Sequence, residues 1–195
     1  MNRRRAQLRR RRWLGLGAAS ALLGLVLGIL VAGGAFDDAI KELTLPLSHE
    51  DVIRQQSREK GVDAALIAAV IYSESKFTDQ TSNAGARGLM QITPEAAKYI
   101  EKQSGGTTFR MSDLADPELN IRYGTFLLRE LLDRYEGDEA AALAAYNAGP
   151  GNADRWGGSG LRVEDIPFPE TRAYVEEVLE KRREYREKYA KELGY

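Results

Sequence analysis

Residues 13–36, from Trp13 to Phe36, contain no charged side chain and are rich in Leu, Ala, Gly and Val. This run constrains the chain more than any other feature. As a helix it would be about 36 Å long, enough to cross a hydrocarbon core of about 30 Å with some tilt. Only a helix could satisfy its backbone there. Seven arginines and no acid precede it within residues 1–12. That bias predicts a cytoplasmic N-terminus, a single-pass anchor over 13–36 and everything beyond Asp37 on the outer side of the cytoplasmic membrane. The competing reading is a cleaved secretory signal ending at the small residues Gly33, Gly34 and Ala35, and it also exports the remainder. The apolar run is long for a signal, which favours the anchor.

The net charge of −1 conceals this asymmetry. From Asp37 onward, 21 of the 28 basic residues face all 29 acidic ones. The exported part is therefore acidic, and no nucleic-acid partner is expected. The chain has no cysteine and one histidine, His49. Disulfides, thiol catalysis, His-dependent triads and His or Cys metal sites are excluded. An all-carboxylate metal site stays open, although no Asp/Asn/Gly loop has calcium-binding spacing.

Residues 37–50 read as a juncture, broken by Pro46 and Ser48. Residues 51–195 then read as one all-α domain. A short helix over 51–60 ends at Gly61. A second, capped by Asp63, runs to Ser75. Thr93-Pro94-Glu95 and Asp116-Pro117-Glu118 each start a helix with Pro at the first position. The first ends near Gln103, the second near Tyr135. Asp138 opens an Ala-rich helix whose small residues predict a central place. A charged helix over 170–193 closes the chain. Residues 76–91 and 147–169 are the candidate functional loops.

The second helix ends on Glu74. Ile67, Val70, Ile71 and Glu74 share one face of what reads as an amphipathic helix. A carboxylate at the end of an apolar stripe should raise its pKa and keep its proton near neutrality, as a general acid requires. Taken alone, a solvated Glu at a helix C-terminus is the commoner case.

Four ordered segments decide between these readings: Glu74-Ser75-Lys76-Phe77; residues 84–91, Ala-Gly-Ala-Arg-Gly-Leu-Met-Gln; Ala145-Tyr146-Asn147-Ala148-Gly149-Pro150-Gly151 with Trp156; and Ile166-Pro167-Phe168-Pro169-Glu170-Thr171-Arg172-Ala173-Tyr174-Val175. In this order and spacing they resemble the bacterial lytic transglycosylases of the soluble-transglycosylase (SLT) type, which have a goose-lysozyme-like fold. The resemblance covers residues 51–179 and includes the Asp116-Pro117-Glu118-Leu119-Asn120-Ile121 stretch. It implies Glu74 as the single catalytic acid, with Ser75, Met90, Gln91, Tyr146, Asn147, Glu170 and Tyr174 lining the substrate site. It implies peptidoglycan glycan strands as the partner, and cleavage between N-acetylmuramic acid and N-acetylglucosamine with 1,6-anhydromuramyl products and with no metal or organic cofactor. Two positions depart from the pattern: residues 77–85 lack a usual Pro and run about a residue short, and Ala153 replaces a usual Val before Trp156. The rivals are a hydrolytic muramidase, which needs a second carboxylate among Asp79, Asp113, Asp116 and Asp154, and a non-catalytic peptidoglycan-binding module.

Overall fold

Asp63 starts the helix around which the rest is built. A computed structural model describes residues 43–104 and 110–195. The expected Arg-rich segment and membrane anchor, over 1–12 and 13–36, lie outside the described residues. Among those described, no helix is long and apolar enough to cross a membrane. The chain divides into residues 1–45 and 46–195, and the second unit holds every element considered below. Its order is α1 (Glu50–Lys60), α2 (Ala64–Ser75), α3 (Pro94–Ser104), a 3-10 turn (Met111–Ala115), α4 (Pro117–Arg134), α5 (Glu139–Ala148), α6 (Pro150–Trp156), a second 3-10 turn (Val163–Asp165), α7 (Pro169–Lys188) and α8 (Ala190–Leu193).

The expected starts are borne out by their caps. Asp63 accepts from the Ala65 N–H, Thr93 from Ala96, Asp116 from Leu119 and Asp138 from Ala141. Each satisfies one donor that a helix start otherwise leaves open.

Helix α2 departs from the amphipathic expectation. Every residue from Ala64 to Ile71 is buried. It packs chiefly along α7, with α1 also against it. An apolar stripe on one face cannot report that the opposite face is covered as well, because Ala and Val at those positions suit either environment. Helix α5 is as central as its alanines predicted. Ala141, Ala142, Ala144 and Ala145 are all buried, and their short side chains admit α4, α6 and α7.

Two boundaries differ from expectation. Residues 147–169, read as a loop, contain α6. Gly149 ends α5 at φ 87°, and Pro150 then begins α6 at its first position. The same Gly-Pro pair signals a loop or a restart, and only packing chooses. The final helix is interrupted at Tyr189, after which α8 buries Leu193. This turn returns Tyr195 to the start of α2, where its hydroxyl accepts from the Ala65 N–H at 2.9 Å and meets Asp63.

Asp63 thus holds a helix start, the chain's end and α7, since Arg182 Nε lies 2.6 Å from its carboxylate. These partners hold its pKa below the ordinary 3.8 against an opposing burial effect. We expect Asp63→Ala to cost about 1–2 kcal/mol in urea denaturation near neutral pH. A depressed pKa contributes stability above the unfolded value and loses it as pH falls through the folded one. The difference between variant and wild type should therefore shrink below pH 4.

Candidate active site

Glu74 occupies the last turn of α2, where the buried helix meets the loop over 76–92. Its carboxyl is pushed up from 4.5 to about 7, and burial is the main cause. No charged neighbour contributes to the rise. The Tyr174 hydroxyl on α7 faces the carboxyl and opposes part of it. That hydroxyl is buried and makes no hydrogen bond of ordinary geometry. Burial beside Glu74 holds it well above the usual phenol range, so it stays neutral. Tyr146, on the last turn of α5, is held neutral in the same way, and its hydroxyl donates to the Met90 carbonyl at 2.9 Å. Glu74 is therefore bordered by two neutral phenols, in a setting that favours the protonated acid up to physiological pH.

The loop that carries Met90 and Gln91 has little freedom. Lys76 and Phe77 leave α2 in the left-handed region, at φ 53° and 61°. Arg87 and Ile92 exchange backbone hydrogen bonds at 3.0 Å each way. Ser75 is buried, and its hydroxyl reaches the Leu89 carbonyl at 2.7 Å and the Ile71 carbonyl at 3.1 Å. It ties the end of α2 to the loop. The Met90 side chain is fully buried against Gly124, where an added Cβ would stand 2.3 Å from its Sδ. Met90 offers the site its carbonyl. Gln91 turns its amide back to the Gly88 and Gln80 carbonyls at 2.8 and 3.1 Å.

Asn120 is the residue that sequence reasoning passed over. It is fully buried on α4, its Oδ1 accepts from the Met90 N–H at 2.7 Å, and its Nδ2 donates to the carbonyls of Arg87 at 2.9 Å and Leu114 at 3.0 Å. Gly88 is required beside it, because a Cβ there would lie 2.1 Å from Nδ2. A signal was available in the sequence. Asn120 continues the buried face of Gly124, Leu128 and Leu131 at helical spacing, and a polar residue in such a row usually has partners.

The remaining predicted residues stand at the rim. Asn147 is exposed, and its Oδ1 accepts from Thr171 at 2.8 Å, joining the end of α5 to the start of α7. Glu170 is exposed beside that bond, in the first turn of α7. Trp156 packs edge-on against Phe168 with ring centroids 4.9 Å apart, and Ala153 is buried beneath on α6. Three of the four candidate second carboxylates have structural partners. Asp113 accepts from the Arg110 N–H, Asp116 caps α4, and Asp154 takes Arg134 and Tyr135. Asp79 is exposed in the loop.

With this arrangement established, relatives place it among known proteins. Residues 51–166 match the family described as the transglycosylase SLT domain. The chain is 36% identical over 158 residues to the soluble lytic murein transglycosylase of Salmonella typhimurium, covering 76% of this chain and 24% of that protein. It is 37% identical over 116 residues to membrane-bound lytic murein transglycosylase C of Edwardsiella ictaluri, covering 54% of this chain and 32% of that one. The crystal structure of the 70-kDa soluble lytic transglycosylase of Escherichia coli superimposes with a TM-score of 0.73 at 33% identity, over 84% of this chain and 28% of that one. The chain belongs to the transglycosylase SLT domain family, with the lysozyme-like helical fold that family membership implied. It spans about a quarter of the length of the soluble relatives it matches.

Two outcomes follow from this geometry. Asn120→Ala would take the Asn120 partner from the Met90 N–H and the Leu114 carbonyl, while the Arg87 carbonyl keeps the Ile92 N–H, and we expect it to cost about 3 kcal/mol in chemical denaturation. The Glu74 substitution has a definite sign. A carboxyl whose folded pKa is raised lends no instability below its unfolded value and progressively more as pH rises through about 7. Glu74→Gln should therefore be more stable than wild type above pH 7, by up to about 3 kcal/mol, and equal to it below pH 4. Urea melts at the two pH values read the difference.

Proposed function

We propose that this protein is a membrane-anchored peptidoglycan lytic transglycosylase that cuts the β-1,4 bond between N-acetylmuramic acid and N-acetylglucosamine, with Glu74 as its only catalytic carboxyl. The observation that carries the reading is the Glu74 carboxyl itself. It is raised to about 7 by burial and has no charged partner among the described residues. A solvated Glu or a pure binding surface has no use for an acid held out of water, which weighs against the binding-module reading. Relatives named lytic murein transglycosylases, soluble and membrane-bound, support the substrate and the anchoring.

In this mechanism the protonated Glu74 gives its proton to the glycosidic oxygen as the C1–O4 bond breaks. The muramyl N-acetyl oxygen stabilises the positive charge that develops at C1. The Glu74 carboxylate then takes the proton from the muramyl C6 hydroxyl, whose oxygen attacks C1 and closes the 1,6-anhydro ring. The acid is restored and no water is consumed. One residue serves both steps because the first leaves it in the form the second requires. Tyr146 and Tyr174, both neutral, border the carboxyl and limit its contact with water, while Tyr146 holds the Met90 carbonyl. Ser75 and Asn120 act through the loop, as positioning residues. Asn147, Gln91 and Glu170 border the strand at the rim. The anchor over 13–36 holds the domain against the wall it cuts.

Hydrolysis of the same bond would need a second carboxylate or a held water opposite Glu74. Asp113, Asp116 and Asp154 are tied to other partners, which leaves exposed Asp79 as the single sequence candidate for that role.

The test is mass spectrometry of purified peptidoglycan digested by the full chain and by Glu74→Gln. We expect anhydromuramyl ends from the wild type and a loss of at least about a thousandfold in the variant, the scale of removing a positioned proton donor. Reducing muramyl ends would overturn the reaction type, and a near-fully active variant would overturn the role of Glu74. Activity should fall above about pH 7 as Glu74 loses its proton.

A further inference from the structure

Helix α2 ends at Ser75, directly after Glu74. Lys76 and Phe77 then stand in the left-handed region, which a non-glycine residue keeps only where its surroundings fix it. A helix end leaves its last carbonyls without intrahelical partners. Here the Tyr72 carbonyl takes the Lys76 N–H at 2.9 Å, and the Ser75 carbonyl takes the Thr78 N–H at 3.0 Å. The carbonyl of Glu74 itself takes a side chain. Gln80 Nε2 donates to it at 3.1 Å.

Gln80 is joined to the far end of the loop as well. Its own carbonyl accepts from the Gly88 N–H at 2.9 Å and from Gln91 Nε2 at 3.1 Å. Gln91 is itself left-handed, at φ 47°. One residue thus connects the peptide of Glu74 to the segment that carries Met90, and it meets both strained turns. Ser75 and Asn120 also hold that segment, through the Leu89 carbonyl, the Met90 N–H and the Arg87 carbonyl, but their bonds do not reach Glu74. Gln80 lies within residues 77–85, the stretch that departs from the family pattern, so the resemblance assigns it nothing. It is exposed, and water competes for the same carbonyl. What the amide adds over water is a fixed direction. The carbonyl carbon is bonded to the Glu74 Cα, so a shift of this peptide turns the carboxyl with it. A misplacement of about 1 Å is enough to slow a reaction step.

We propose that Gln80 is a positioning residue for the cleavage step, which holds the last turn of α2, and with it the Glu74 side chain, in place against the loop. The inference rests on the reading that Glu74 gives its proton to the glycosidic oxygen. Gln80 acts through Glu74 and touches no reacting atom, so its loss falls on kcat and leaves KM in place. A loosened turn also admits water to the carboxyl, which brings its pKa down from about 7 toward the ordinary 4.5. The titratable groups nearby keep their places. They are Tyr146 on α5, Tyr174 on α7, and the Lys76–Glu177 pair, which spans to α7 at 2.8 Å.

Two substitutions in the full chain separate the donor from the bulk of the side chain. Gln80→Met keeps its length and removes the donor, and Gln80→Lys keeps a donor at similar reach. Release of anhydromuramyl ends from purified peptidoglycan gives kcat and KM. We expect Gln80→Met to lower kcat about fivefold, the scale of one ordinary hydrogen bond, with KM held, and Gln80→Lys to retain most of the rate. An NMR titration of the Glu74 carboxyl, assigned by its absence from Glu74→Gln, should show the midpoint moving to lower pH in Gln80→Met. An unchanged kcat in Gln80→Met overturns the proposal. So does an equal fall in Gln80→Lys, which would make the shape of the amide the cause. A rise in KM with kcat intact would make Gln80 a binding residue, and a loss that matches the unfolded fraction in urea melts would make its role structural; either overturns the proposal. If the wild type releases no anhydromuramyl ends, the proposed reaction fails and the NMR titration decides Gln80 alone. A lower midpoint in Gln80→Met then keeps it as the residue that holds Glu74, and an unchanged midpoint removes it.

Discussion

The structure depends on shielding one half-buried carboxyl from much of its water at the end of a buried helix. Helix α2 is covered on all sides up to Ile71, and Glu74 is the first carboxyl after that stretch. Solvating it would be the lower-energy choice for a lone Glu. The fold instead surrounds it with Tyr146 and Tyr174, which carry no charge to stabilise the ionised form. The raised pKa has the same cause as the core, exclusion of water around α2. A site so placed lowers the stability of the folded chain at neutral pH, and a well-packed helical scaffold offsets that loss.

The rest of the site follows from holding the loop over 76–92 against that carboxyl. Asn120 reaches across from α4 with three hydrogen bonds, Ser75 fastens the loop to α2, and Tyr146 bonds the Met90 carbonyl. Each partner is a backbone group, so side chains of the surrounding helices set the loop's course together with the loop's own Gln91 and Ser82. This explains why Gly88 and Gly124 are glycines. Asn120 occupies the space of a Cβ at the first, and Met90 at the second. Residues expected to touch substrate are thereby divided. Ser75 and the Met90 side chain face inward as supports, while Asn147 and Glu170 remain at the open rim.

Much of the helical order was legible in the sequence because its signals are local. A capping Asp or Thr, a Pro at the first position and a Gly at the end act within one turn. They placed α1 to α5 closely. They failed where a local signal supports two outcomes. Gly149-Pro150 permits either a loop or a new helix, and the charged stretch to Leu193 permits either one helix or two. The inward role of Ser75 was illegible for a related reason. A hydroxyl bonded to a carbonyl fourteen residues away leaves no mark at its own position. Asn120 did leave one, as a polar residue in a buried row, although its partners cannot be read from α4 alone.

The sequence by itself determined the helical class, the helix starts and a carboxyl at the end of an apolar helix, because these depend on spacing and on residues within a few positions of one another. Its ordered motifs also carried the family resemblance that the relatives bear out. Only the tertiary structure decided that α2 is buried on every side, that two phenols from α5 and α7 flank Glu74, and that Asn120 governs the loop. Burial and electrostatics arise from groups far apart in the chain, and the acidity of Glu74 is the sum of what the fold brings around it.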